Sequence, residues 1–138
     1  MNRYDLRELA RQRVREARQL LRARAPHGAY YLAGYAVECA LKACIAKKTQ
    51  RYEFPSRQAV NESYTHDLKK LLRLADLERA LDQETRDRAR LGVNWDLVKD
   101  WTEQSRYDAA MDMRRARELY RAIAGRPDGV LPWVRRHW

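Results

Sequence analysis

The chain has 138 residues, 45% of them hydrophobic, which is the length of one domain and enough apolar side chain to bury a core. Lysine and arginine number 29 against 19 acidic residues, a formal net charge of +10 that favours an anionic partner, nucleic acid first and an acidic protein second. The charged start MNRYDLRELARQR has no apolar signal core behind it, and the most apolar stretch is interrupted by a Glu and a Lys, so export and a membrane span are both disfavoured and the cytoplasm is the expected compartment.

A first helix is expected from about Asp5 to Arg24, with Leu6, Ala10, Val14, Ala17 and Leu21 on its apolar face. Arg7, Arg11, Arg15, Arg18 and Arg22 line the opposite face. That stripe either tracks a phosphate backbone or is simply solvated, with Glu8 and Glu16 diluting it. Pro26 is expected to end the helix, and His27–Gly28 to turn the chain into an antiparallel helical hairpin.

The second helix, Ala29–Lys48, should be the hub, because it is apolar or small on nearly every side and such helices are buried by their neighbours. Ala29, Ala33, Ala36, Ala40 and Ala43 share one face and let another helix come close. Tyr31, Tyr35, Glu38 and Lys42 share a second. Glu38 and Lys42 have the favourable spacing and polarity for an intrahelical ion pair. In a buried helix that pair either compensates itself or faces a polar groove or a partner chain. Cys39 and Cys44 are five apart, point in different directions and read as buried thiols, neither a disulfide nor a zinc site.

From Thr49 to Tyr64 the apolar period is lost, which predicts a long loop anchored by Tyr52, Phe54 and Tyr64. Thr65 is the expected cap of a helix that buries Leu68, Leu71, Leu72 and Ala75. Asp76 should restart a more polar helix closed by Gly92, and Asn94 should cap a short segment burying Trp95, Val98 and Trp101. Ser105 with Asp108 resembles a capping box for a last long helix, with Ala109, Met113, Ala116, Tyr120 and Ile123 inward and Arg114, Arg117 and Arg121 outward. Gly125, Pro127 and Gly129 then break the chain before a tail whose Trp133 and Trp138 should dock. No strand pattern appears, so the class is all-α.

Three segments carry a family resemblance: GAYYLAGYAVECALK at Gly28–Lys42, THDL at Thr65–Leu68 followed by KKLL, and NWDLVKDWTEQSRYD at Asn94–Asp108. In this order and spacing they resemble the HEPN domains (higher eukaryotes and prokaryotes nucleotide-binding). The resemblance implies an up-and-down helical bundle; together with the helices expected along the chain, this gives an expected bundle of about five helices over residues 1–124 and a tail, 125–138, docking on it. It also implies a homodimer packed along its central helices with a functional groove at the interface, and RNA or nucleotide as ligand. Many members are metal-independent ribonucleases, often toxins paired with a nucleotidyltransferase antitoxin or parts of phage defence, and use an Arg, four to six residues, then a His. Arg106 stands at the Arg position, but Met111, Asp112 and Met113 occupy the positions for the His, and none can replace it near neutral pH. Arg22 and His27 have the formal spacing but straddle Pro26, outside that context.

The candidate binding groove is therefore Glu38, Lys42, His66, Arg106, Tyr107 and Asp108, with no metal and no cofactor expected. Arg106 beside a helix N-terminus would bind a phosphate, or else pair with Asp108 or Glu103. His66 would meet Glu38 and Arg106 across the bundle, or else bond only locally. Trp95, Trp101, Tyr107 and Trp133 would stack on bases, or else fill the core.

Overall fold

The computed structural model describes residues 1–51 and 57–138, apart from the side chains at 50, 51 and 59; the expected anchors Tyr52 and Phe54 lie outside these residues. The described residues form only helices and their connections, and the fold is all-α. In order these are α1 (Arg3–Arg22), α2 (Pro26–Arg51), α3 (Arg57–Glu62), α4 (Leu68–Leu74), α5 (Glu78–Asp87), α6 (Ala89–Val98), a short 3-10 helix (Glu103–Tyr107), α7 (Met113–Ala124) and α8 (Val130–Arg135).

α1 starts earlier than Asp5 because Asn2 caps it. The Asn2 Oδ1 accepts from the Asp5 amide at 2.9 Å and the Asp5 carboxylate accepts from the Asn2 amide at 3.2 Å, a reciprocal capping box. Its end is set by Arg24, which takes the left-handed conformation at φ 58. Pro26 does not terminate α1. It opens α2, where the missing N–H costs nothing and the fixed φ is already helical. α2 then folds back along α1, and the two helices make the most extensive packing in the molecule.

The small face of α2 is what permits this approach. Ala29, Ala33, Ala36, Ala40 and Ala43 are fully buried, as are Ala10 and Ala17 on α1. The chain's own helices cover that face, so a second copy would have to meet a different surface. Around the hub stand α4, the 3-10 helix, α7 and α8. Trp101 lies flat over Gly34 with its indole nitrogen and carbons where a side chain would begin.

Several expected boundaries shift for identifiable reasons. The chain between 49 and 64 is not one loop, since α2 runs on to Arg51 and α3 occupies 57–62. Asp67, not Thr65, caps α4 by accepting from the amides of Lys69 and Lys70, while Thr65 Oγ1 accepts from the Asp67 amide at 3.1 Å. Asp76 sits at φ 58 in the turn between α4 and α5. Gly92 and Asn94 both lie inside α6, and the Asn94 amide instead donates to the Asp128 carbonyl at 2.9 Å. Ser105 is buried in the 3-10 helix; the cap of the last long helix is Asp112, which accepts from the Arg115 amide at 2.9 Å.

The segment after α7 is tied to the rest by Arg88. Its guanidinium donates to Glu84 and to Asp128, each at 2.9 Å, and to the Pro127 carbonyl at 2.6 Å. The hydrogen bond from Arg88, ahead of the charge of Arg136, draws the Glu84 carboxyl below its ordinary range. α8 packs against α2, α6 and α7, and Trp133 and Trp138 are both buried.

Candidate functional site

The polar face of α2 carries the candidate site. Glu38 is 1% exposed, and only its Oε1 is occupied: Lys42 Nζ donates to it at 2.9 Å and His66 Nδ1 at 2.8 Å. An ionised carboxylate can only accept, so Nδ1 carries the proton and Nε2 is the ring nitrogen left for other partners. The other carboxylate oxygen, Oε2, is buried and has no hydrogen-bond partner among the described residues. His66 is held in place by the connection into α4, directly ahead of the Asp67 cap, with its side chain 48% exposed.

Glu38 and Lys42 open onto a groove of about 550 Å³ between α1, α2 and the turn at Ser63–Tyr64. Leu6, Leu9 and Ile45 form its apolar walls, Tyr35 and Tyr64 its aromatic ones, and Arg3 also lines it. Burial, then the neighbouring Cys39 and Glu38, raises the Tyr35 hydroxyl. Burial first and Glu38 second push the Cys39 thiol up to about 12, so Cys39 faces the groove neutral. Burial likewise pushes Cys44 up to about 12, and both thiols are free, in line with their expected role as inert core residues. On its other side His66 lines a second depression of about 460 Å³ with Trp101, Thr102 and Glu103.

Arg106, Tyr107 and Asp108 stand apart from this trio. The Arg106 guanidinium lies over the Tyr31 ring at 5.1 Å and the Tyr107 ring at 5.3 Å, and its Nε donates to the Glu103 carbonyl at 3.0 Å. Tyr31 in turn stacks on Trp101 and on Tyr35, with centroids 6.1 and 5.9 Å apart. Tyr31 and Glu38 are two helical turns apart, roughly 10 Å along the axis. The structure brings Glu38, Lys42 and His66 together, and Arg106 makes no hydrogen bond or ion pair with any of them. Arg106 also lies at the end of the 3-10 helix, not at the start of a long one.

Asp108 does not pair with Arg106. Arg115 Nη1 donates to its carboxylate at 2.8 Å and the Ala110 amide at 2.9 Å, and these hydrogen bonds, that from Arg115 foremost, hold the carboxyl below its ordinary range. His27 Nε2 donates to the Asp108 carbonyl at 3.0 Å, which ties the start of α2 to the same turn. The three positions at which a histidine would complete the family's pair are otherwise engaged: Met111 is buried, Asp112 caps α7 and Met113 opens it. Of the aromatic residues weighed for base stacking, Trp95, Trp101 and Trp133 are core, whereas Tyr107 is 74% exposed.

A second cluster joins part of the α1 arginine stripe to the docked tail, a meeting the sequence did not place. The guanidiniums of Arg7, Arg11 and Arg135 lie over the Trp138 ring at 5.1, 5.0 and 5.3 Å, and Arg3 Nη2 donates to the Trp138 main-chain oxygen at 2.9 Å. Burial first, and then the neighbouring charges of Arg11, Arg126 and Arg7, lower Arg135 from its ordinary value. Arg11 has Glu8 at 3.4 Å; Arg7, Arg126 and Arg135 make no ion pair among the described residues. The spacing of Arg7 and Arg11 was visible in the sequence, but not the ring between them.

Among the described residues no group of three His, Cys, Asp or Glu side chains is arranged to hold a metal, and no helix is long and apolar enough to cross a membrane. A search of curated proteins and a search of solved structures return no match. The family model of the HEPN domain matches residues 4–135. That match runs from the first turn of α1 to the last residue of α8 on an all-helical fold, and the chain belongs to the HEPN domain family.

Proposed function

We propose that this chain is a phosphate-binding HEPN module that engages RNA or nucleotide without the family's Arg–His ribonuclease pair. The carrying observation is the guanidinium cluster on α1 and the tail. Four arginines are gathered at one surface, three of them without an ion pair among the described residues, on a chain of net charge +10. Holding like charges together is unfavourable in the free protein, and a polyanion relieves it while releasing its own counterions. The module works as a homodimer in this reading, with a nucleotidyltransferase-type protein of a toxin–antitoxin or defence system as the partner class. Such a dimer uses a surface other than the alanine face of α2.

The expected result is retention of labelled single-stranded RNA by the purified protein at low salt, and a loss of about tenfold or more in affinity when Arg7 and Arg135 are both changed to Gln. Unchanged retention in that variant would remove the cluster as the binding surface.

A second reading, a ribonuclease with a non-standard centre, is favoured by one observation: the buried Glu38 fixes the His66 tautomer and leaves Nε2 available, the arrangement used to orient an acid/base imidazole. Incubation of labelled RNA in EDTA separates the two. The binding reading predicts no cleavage above background. Cleavage abolished by His66→Ala and Arg106→Ala would establish the enzyme instead, and cleavage indifferent to both would exclude these residues from it.

A further inference from the structure

The geometry points to the groove between α6 and α7 as a docking site for a protein partner, filled by an amphipathic helix whose apolar stripe is bordered by acidic residues. The groove encloses about 780 Å³ and, Arg126 apart, is lined by residues outside the Trp138 cluster. From α6 it takes Arg90, Val93, Asn94 and Leu97; from α7 and its cap, Glu118, Arg121, Ala122 and Gly125. Each set lies three, four and seven positions beyond its first member, so each is one continuous helical face. Two such faces turned toward one trough leave room for a third helix to lie along them.

The floor of the trough is aliphatic. Val93 is 59% and Leu97 46% exposed, one turn apart on the same face, and Ala122 and Pro127 extend the apolar surface. Scattered exposed aliphatic side chains are ordinary on a protein surface; here they sit together in a concavity with an unbalanced charged border. Each carboxylate lining the groove is already answered from the chain itself: Asp96 by Lys99 at 3.2 Å, Glu118 by Arg114 at 3.1 Å and Asp128 by Arg88 at 2.8 Å. Arg90, Arg121 and Arg126 also line it and make no ion pair among the described residues. The charge left over is positive, and a partner that complements it is acidic.

The same features choose among occupants. Nucleic acid would supply the negative charge, but no aromatic side chain lines this groove to stack on a base, and its aliphatic floor would go unused. A second copy of the chain would bring the same arginines and a net charge of +10 to this face, so two such faces repel. An extended strand needs a sheet edge to pair with, and the described residues form only helices. An acidic amphipathic helix meets every requirement: its apolar stripe covers Val93 and Leu97, and its flanking carboxylates reach the arginines. From Arg90 to Leu97 the α6 face is about 10 Å long, two turns of such a helix.

Fluorescence anisotropy of the full chain with a labelled synthetic helical peptide of about 15 residues is the test. The peptide carries leucines at i, i+3, i+4 and i+7, glutamates on both flanks and alanine elsewhere; its control has the same composition with the stripe scrambled. At low salt the striped peptide should bind about tenfold or more tightly than the scrambled one, the effect of burying an aliphatic side chain or two. Val93→Ser combined with Leu97→Ser should abolish that advantage and leave RNA retention unchanged. Arg90→Gln combined with Arg121→Gln, at exposed positions, should weaken the striped peptide. The wild-type contrast needs no variant and stands even if one folds poorly. Equal binding of the two peptides, or no binding of either, overturns the site. Loss of RNA retention in the Val93/Leu97 variant would assign the groove to nucleic acid, and conversion of a wild-type dimer to a monomer in sedimentation would assign it to a second copy; either overturns the proposal. The phosphate-binding reading is tested separately, by the Arg7/Arg135 variant, and stands or falls without these results.

Discussion

Gly34→Ala is expected to destabilise the protein by about 3 kcal/mol, the upper part of the range for overpacking a core. A Cβ at this position would meet three atoms of the Trp101 indole at 2.2 to 2.3 Å, far inside contact distance. The clash cannot be relieved by swinging a flexible side chain aside, because Trp101 is 1% exposed and its ring is stacked on Tyr31. The same displacement would disturb Tyr31, over which Arg106 lies. Gly92→Ala is the matched control: it lies inside α6, its Cβ would meet only Thr85 at an ordinary 3.5 Å, and alanine is the better helix former by about 1 kcal/mol. Urea denaturation of the two variants should therefore give opposite signs. Equal midpoints would mean that Trp101 does not rest on α2 as described.

The second large effect comes from orphaning Glu38. Lys42→Met combined with His66→Ala removes both donors and leaves a carboxylate that is 1% exposed with no partner among the described residues, at an expected cost of about 3–5 kcal/mol. Glu38→Met combined with Lys42→Met removes the buried charge and one of its partners together. His66, half exposed, is then free to hydrate, and the expected change is within about 1 kcal/mol of wild type. Denaturation midpoints for the two double variants decide the matter. If the pair that retains Glu38 proved as stable as the pair that removes it, the carboxylate would not be buried and charged as the geometry has it.

These contrasts explain how much of the molecule could be read in advance. The hub was legible because its signal is periodic: alanines at alternating spacings of four and three identify a close-packed face whatever surrounds them, and all five are fully buried. The Glu38–Lys42 pair was legible for the same reason, since i and i+4 meet on any helix. Helix ends were less so, because several polar residues compete for each cap. Asp67 displaced Thr65 from two residues further on and Asp112 displaced Ser105 from seven, each as a carboxylate that accepts from the free amides. Pro26 was misplaced because the same ring ends one helix or begins another, and only the left-handed Arg24 ahead of it decides which.

The site divides along the same line. His66 reaching Glu38 is a contact between elements 28 positions apart in the chain, and the sequence offered it as one of two readings. The separation of Arg106 from that pair was not legible. It follows from Asp108 choosing Arg115 and from the guanidinium settling on the Tyr31 ring, both tertiary outcomes. The Trp138 cluster was invisible for a stronger reason: its members come from both ends of the chain, and no local pattern links Arg7 and Arg11 to Arg126 and Arg135.

The central claim is that the arginine surface binds the phosphates of a nucleic acid, and the salt dependence of binding tests it most directly. Affinity for a labelled single-stranded RNA, followed by fluorescence anisotropy from low to physiological salt, should fall linearly on logarithmic axes. The expected slope is about −2 to −3, corresponding to three or four neutralised phosphates at about −0.7 each. No binding at the lowest salt, or an affinity that does not change with salt, would contradict the account.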